Sequence, residues 1–159
     1  MTKIYLPDVE NQEVPSFILE STLFQLIRDS EDQQRDKSKM ELHLLLNLAA
    51  QTKANDMANL SYFAHTSPSG VSANQNVRNT GYPLPSYYPK DGNNVESLYI
   101  GSDNPADAAA AWLTSDHHRV HVYGQDSFFG HQNCIGVGFS PVPKEKHRGY
   151  WVFISAPCP

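Results

Sequence analysis

Charge is sparse in this sequence. Charged residues make up 18% of the chain, below the roughly 25% of an average soluble domain, while hydrophobic residues make up 40%, a balance that argues against intrinsic disorder. Twelve Lys and Arg stand against seventeen Asp and Glu, for a net charge of -5. The cationic residues are dispersed, so a stripe that could neutralise phosphates is missing and nucleic acid is not expected as a partner. No apolar run approaches the about 20 residues needed to cross a bilayer. Met1 to Pro7 lacks a charged segment followed by an apolar stretch, so no export signal is legible at the start. Internal repeats and low-complexity tracts are absent. So are the Gly-x-Ser-x-Gly elbow of serine hydrolases and the His-Glu-x-x-His signature of zinc proteases.

What remains is a chain the size of one domain. At 159 residues it can bury roughly 70% of the surface its unfolded form exposes, enough for a core without metal staples. Phe17, Ile18, Leu23, Phe24, Leu26 and Ile27 recur near a period of 3.6 after Pro15-Ser16 and predict an amphipathic helix. Arg28 to Lys39 has no apolar period and reads as a solvated helix end or loop whose charges need no functional role. Met40 to Leu60 reads as a second helix with a wide apolar face and alanines for close approach. Ser61 to Gly70 is a turn-rich break. Ser72 then caps a short helix to Thr80, closed by Gly81.

Tyr82 to Asn94 carries three prolines and Asp91-Gly92 and reads as a surface loop long enough to act as a flap. Asn104-Pro105 starts another helix, expected to end near His118. Gly124 to Asn133 is again loop. Ile135–Phe139 and Tyr150–Ala156 read as strands joined by the polar connection Pro141 to Gly149.

The two cysteines, Cys134 and Cys158, sit at the outer ends of those strands. Antiparallel pairing would bring them face to face, and a disulfide there would imply an oxidising compartment. The competing reading is two free, part-buried thiols.

Unusual polar residues collect in three separated segments: Phe63-Ala64-His65-Thr66-Ser67-Pro68, Asn94-Val95-Glu96-Ser97-Leu98, and Trp112-Leu113-Thr114-Ser115-Asp116-His117-His118-Arg119. In order and surroundings they resemble the CAP superfamily, the cysteine-rich secretory, antigen 5 and pathogenesis-related domains. The likeness covers about Leu42 to Pro157. The first segment, continued by Ser69-Gly70, is similar to the F-S-H-T-S-P-x-G of bacterial members. The second is similar to the glutamate-bearing G-E-N-I/L, with Ser97 in place of asparagine and no glycine before it. The third resembles W-x-x-S-P-G-H-R, with Asp116-His117 for Pro-Gly. Ile135-Gly136-Val137-Gly138-Phe139 and Tyr150-Trp151-Val152-Phe153 look like the paired terminal strands.

The resemblance implies an α/β fold, a three-layer α-β-α sandwich over residues 41–159, with residues 1–40 as a helical extension packed on it. It implies an extracellular or periplasmic location and a cleft in which His65, Glu96 and His118 converge, with Ser115 and Asp116 nearby. Many eukaryotic relatives carry a second glutamate where this chain has Ser115, and Asp116 can replace it only partly. Two imidazoles and a carboxylate can hold Zn2+ or another divalent cation. They can also supply a general base, or form a buried polar network that is purely structural. Ser67, Ser69 and Ser97 lie near, but with no elbow they give serine catalysis little support.

The expected role is therefore ligand binding or interaction with a small molecule, lipid or extracellular protein, with catalysis undecided. A metal-assisted hydrolase of peptides or the cell envelope and a lipid or sterol carrier are the alternatives. His117 and His121, four apart, would share a helix face able to hold zinc, unless the β-favouring Val120 and Val122 mark the helix as already ended. Tyr82, Tyr87, Tyr88 and Tyr99 are candidates to line a groove for sugar or lipid.

Overall fold

A computed structural model describes residues 14–159; the Met1 to Pro7 start lies outside the described residues. Helix α1 spans Ser16–Asp29, strand β1 Glu41–Leu42, α2 Leu44–Leu60, α3 Ala73–Asn79 and β2 Glu96–Ser102. Then come α4 Pro105–Leu113, α5 Asp116–Val122, α6 Ser127–Gly130, β3 Cys134–Pro141 and β4 Arg148–Ala156. Four of the helix starts are built by side chains that accept a free backbone N–H of the first turn, Asp126 Oδ1 taking Phe129 N of α6 at 2.7 Å. Ser72 Oγ accepts from Gln75 N at 3.1 Å, Asn104 Oδ1 from Ala106 N at 2.9 Å and His43 Nδ1 from Leu45 N at 3.2 Å. The chain leaves α2 through Ser61, whose left-handed backbone (φ 54°) stops the helix just before the His65 segment.

The four strands run in the order β1-β3-β4-β2, with β1 parallel to β3 and the other pairs antiparallel. Side chains alternate across the sheet, so each face carries its own core. Val152 and Ile154 pack with Leu46, Ala50 and Met57 of α2 on one side. Trp151, Phe153 and Val137 pack with Leu23 and Ile27 of α1, Trp112 of α4 and Tyr123 on the other. This is the α-β-α sandwich. On the α2 side β3 presents Gly136 and Gly138, where a Cβ would collide with the α2 backbone at Leu46 and at Ala50. Any side chain there would push the helix off the sheet.

Cys134 is paired in register with Ala156, and the chain needs two more residues to bring Cys158 over it. The two form a disulfide with a Cα separation of 5.1 Å. Closing a loop of this sequence separation of 24 stabilises the fold by about 3.5 kcal/mol in the chain-entropy picture.

Several local expectations fail, each for a tertiary reason. The second helix begins at Leu44, because Glu41 and Leu42 pair with Cys134 and Ile135 as an edge strand. The helix expected from Asn104 to His118 is two, broken at Thr114-Ser115, with α5 continuing to Val122. The 28–39 stretch is not uniformly solvated, since Gln33 and Arg35 are buried. The proline-rich loop is pinned rather than a flap. Tyr82 Oη donates to Pro157 O at 2.6 Å, and Arg78 Nη2 donates to Tyr88 O at 2.7 Å. Tyr82 and Tyr88 are core residues at 2% and 3% exposure, so they line no groove, and only Tyr87 of that set is well exposed. Tyr99 is half-buried, and its hydroxyl accepts from Ser102 N.

Candidate functional site

His65 hangs on the turn that follows α2, Glu96 opens β2, and His118 sits in the first turn of α5. These elements meet at one end of the sheet around a cavity of about 180 Å3, lined by His65, Asn93, Glu96, His117, His118 and Phe129 among others. The three separated sequence segments are thus brought together. Glu96 is placed by backbone: its N–H donates to Asn93 Oδ1 at 2.9 Å, and Asn93 Nδ2 donates back to Glu96 O at 3.0 Å. Its side chain is wholly buried while that of His65 is 46% exposed.

The pair meets at 2.8 Å between His65 Nδ1 and Glu96 Oε1. An ionised carboxylate can only accept, so Nδ1 is the donor in this contact, and in the neutral imidazole Nε2 then carries the lone pair. His118 Nδ1 lies 2.8 Å from Ser115 Oγ, the residue that precedes α5, and that hydroxyl can take the same accepting role. Burial pushes the His118 pKa below the ordinary imidazole range, and the nearby imidazoles of His65 and His117 push it further. The His118 ring is therefore biased to its neutral form, and at each ring the tether occupies Nδ1 and leaves Nε2 unengaged. Asp116, by contrast, points to solvent and pairs with Arg119 Nη2 at 2.8 Å.

The set suits a divalent cation at its two imidazoles, and Glu96 takes a further part as the tether of His65. A metal-binding histidine ordinarily has its second nitrogen held by a carboxylate or another acceptor, the arrangement found at both rings. Glu96, however, is enclosed, with Oε1 spent on His65 and Oε2 buried without a hydrogen-bond partner. It holds His65 in place from the cavity wall, with Oε2 its one carboxylate oxygen left without a protein partner. Among the described residues, the one trio of such donor atoms lying within 4.8 Å of one another is Glu41, Cys134 and Cys158, where both sulfurs are consumed by the disulfide. The side-chain nitrogens free to meet a cation at this cavity are Nε2 of His65 and Nε2 of His118.

Beneath the cleft lies a second histidine that pattern alone placed wrongly. α5 does run on past His118, so His117 and His121 share a helix, but His121 is buried and both its nitrogens are engaged. Gln132 Nε2 donates to Tyr88 Oη and Asn94 O, so Gln132 Oε1 must accept, and it takes the Ser155 hydroxyl proton at 2.6 Å. Ser155 Oγ is then the acceptor for His121 Nε2 at 2.8 Å, which leaves His121 Nδ1 to accept from Ser97 Oγ at 2.6 Å. A serine donating to an imidazole looks like an activated nucleophile. Complete burial, reinforced by the Arg35 charge, holds the His121 pKa well below its ordinary value, so this ring is a poor proton acceptor.

Arg35 is the residue that sequence reasoning passed over. It is 3% exposed and donates to the carbonyls of His121, Val122, Phe129 and Gln132 and to Ser155 Oγ, at 2.6 to 3.3 Å. Desolvation lowers its pKa to about 10, which still leaves it charged at neutral pH. It ties the 28–39 segment to the α5–α6 region and to β4. The only hint in the sequence was an arginine in a stretch with no period.

A sandwich with this strand order and two histidines facing a cleft at the sheet end agrees with a family comparison. The CAP model, described as the cysteine-rich secretory protein family, matches residues 27–154. The chain belongs to the CAP family. The uncharacterized protein YkwD of Bacillus subtilis (strain 168) is 26% identical over 113 residues, 71% of this chain and 39% of that protein. Thus the chain spans about two fifths of this curated relative. Among solved structures, an outer surface protein of Borrelia burgdorferi is similar with a TM-score of 0.59 at 17% identity, covering 90% of this chain and 92% of that one. An extracellular protein containing an SCP domain, from Bacillus anthracis str. Ames, gives a TM-score of 0.57 at 17% identity, covering 91% and 45%. Likenesses at such identity establish the CAP fold and not a task. No helix among the described residues is long and apolar enough to cross a membrane.

Proposed function

We propose that this chain is an extracellular CAP domain whose cleft binds a divalent cation, zinc by ligand type, through Nε2 of His65 and Nε2 of His118. The observation that carries this reading is the tethering of both imidazoles by Nδ1, to Glu96 and to Ser115, which leaves two outward nitrogens on one cavity wall. Two imidazoles suit zinc. A bound cation would supply Lewis acidity and leave positions for water or a polar ligand, while Glu96 and Ser115 act as positioning residues. The disulfide supports an oxidising compartment, and the description of the two structural relatives as extracellular and outer surface proteins supports the same location.

Isothermal titration of the metal-free chain with zinc at neutral pH tests the reading. The expected result is one site per chain that is lost in both His65→Ala and His118→Ala. Absence of heat in the unaltered chain, or binding that survives both substitutions, would overturn it.

A further inference from the structure

A second cavity, also of about 180 Å3, lies on the other side of the His65 turn, between α2, that turn and α3. Nothing in the cation reading uses it. Its most unusual feature is Lys53, an α2 residue only 4% exposed among alanines. Lys53 Nζ donates to His65 O at 3.0 Å and to Tyr62 Oη at 3.2 Å, and Tyr62 Oη in turn donates to Asp56 Oδ2. Two of the three ammonium hydrogens are thereby used. Asp56 Oδ1 has no hydrogen-bond partner among the described residues, so the cavity wall carries one spare charged donor and one spare charged acceptor.

The remaining lining repeats that alternation without net charge. Asn76 Nδ2 donates to Ala49 O, which leaves Asn76 Oδ1 as an acceptor. Gln75 Nε2 donates to Asn79 Oδ1, which leaves Asn79 Nδ2 as a donor. Ser67 Oγ and Ser69 Oγ lie 3.0 Å apart, so one of the two still has its proton to give. An anion would meet Asp56 and a cation would meet Lys53, whereas a hydroxyl group donates and accepts at once and satisfies both. The Tyr62 ring and Val71 add apolar surface for a C–H face. We propose that this cavity is a binding site for a neutral polyhydroxylated ring, a single pyranose unit of a sugar or glycan, held between Asp56 and Lys53.

The test is an amide-shift titration of the full chain, 15N-labelled and stripped of metal, with methyl α-glucopyranoside, methyl β-galactopyranoside and N-acetylglucosamine, and with sodium phosphate and sodium acetate as anion probes. At least one sugar is expected to move amides of residues 52–56 and 67–79 saturably, with those of residues 93–97 and 118 still. Asp56→Ala is expected to weaken that sugar about tenfold or more, through loss of a charged acceptor, and Asn79→Ala, an exposed position with little bearing on folding, by a smaller factor. The proposal is overturned if no sugar shifts these amides, if sugars shift the His65–His118 cleft instead, or if phosphate or acetate occupies the cavity more tightly than any sugar. Because the metal is removed beforehand, failure here leaves the cation reading standing, and the reverse also holds.

Discussion

Two histidine sites lie back to back at the end of the sheet and have opposite characters. In the lower one His121 has both nitrogens engaged, by Ser97 and Ser155, and a charged arginine nearby, so the ring is buried, fully partnered and held to its neutral form. In the upper one His65 and His118 each have one nitrogen engaged and the other turned to a cavity. The same side chain serves as a structural strut in the first and an available ligand in the second. What separates them is the count of satisfied nitrogens together with access to water, because a buried imidazole with two partners has nothing left to offer.

The largest effect expected is at the lower site. Arg35→Ala removes the guanidinium's five-acceptor network and leaves Gln132 O without that donor, and should cost about 3 kcal/mol or more in urea denaturation. A loss below about 1 kcal/mol would show that water or the remaining partners replace the guanidinium. At the upper site, His65→Ala should cost about 2 kcal/mol, because it leaves the enclosed Glu96 carboxylate without its donor. His118→Ala, whose partner is a part-exposed hydroxyl, should cost under about 1 kcal/mol. Equal losses from the two would erase the distinction between Glu96 and Ser115 as tethers.

The pH dependence separates the sites further. His121 has a folded pKa far below its unfolded value of 6.5, so the unfolded chain binds the extra proton first. Stability should be full above about pH 6.5 and decline as pH falls below it, and His121→Phe should flatten that decline. An undiminished slope in the variant would assign the acid sensitivity to other groups. A smaller effect of opposite sign belongs to Glu20 on α1, whose carboxyl is raised by burial to about 7 while accepting from Phe139 N. Its contribution is complete below pH 4.5 and is lost as pH rises through about 7. Glu20→Gln should therefore stabilise the chain at about pH 8 by about 1 kcal/mol, reduced for partial exposure, and by nothing near about pH 4. A variant equally stabilised at both would point to packing instead.

Much of the architecture was legible before any coordinates. The α1 stripe, the Ser72 and Asn104 caps, the β3 and β4 strands and the cysteine pairing are local signals that packing reinforces. The edge strand β1 was not, since two residues carry no period. Nor was the break at Thr114, which lets α5 turn its histidines toward two different surroundings. The three site segments could be named from their order in the chain, but the division of labour among them could not: Glu96 reads in the sequence as a third ligand, and the fold adds to it the role of tether for His65. Tyr82 and Tyr88 looked like groove aromatics because a proline-rich loop suggests exposure, and both are spent filling the core under that loop.

The sequence by itself determined the family, the layers and the segments that meet, because hydrophobic period, caps and motif order depend on near neighbours along the chain. Only the tertiary structure decided which histidines stay open, which carboxylate is buried as a tether and why the arginine at position 35 matters. Those properties depend on how many partners reach each polar atom from distant parts of the chain and on whether water can reach it too.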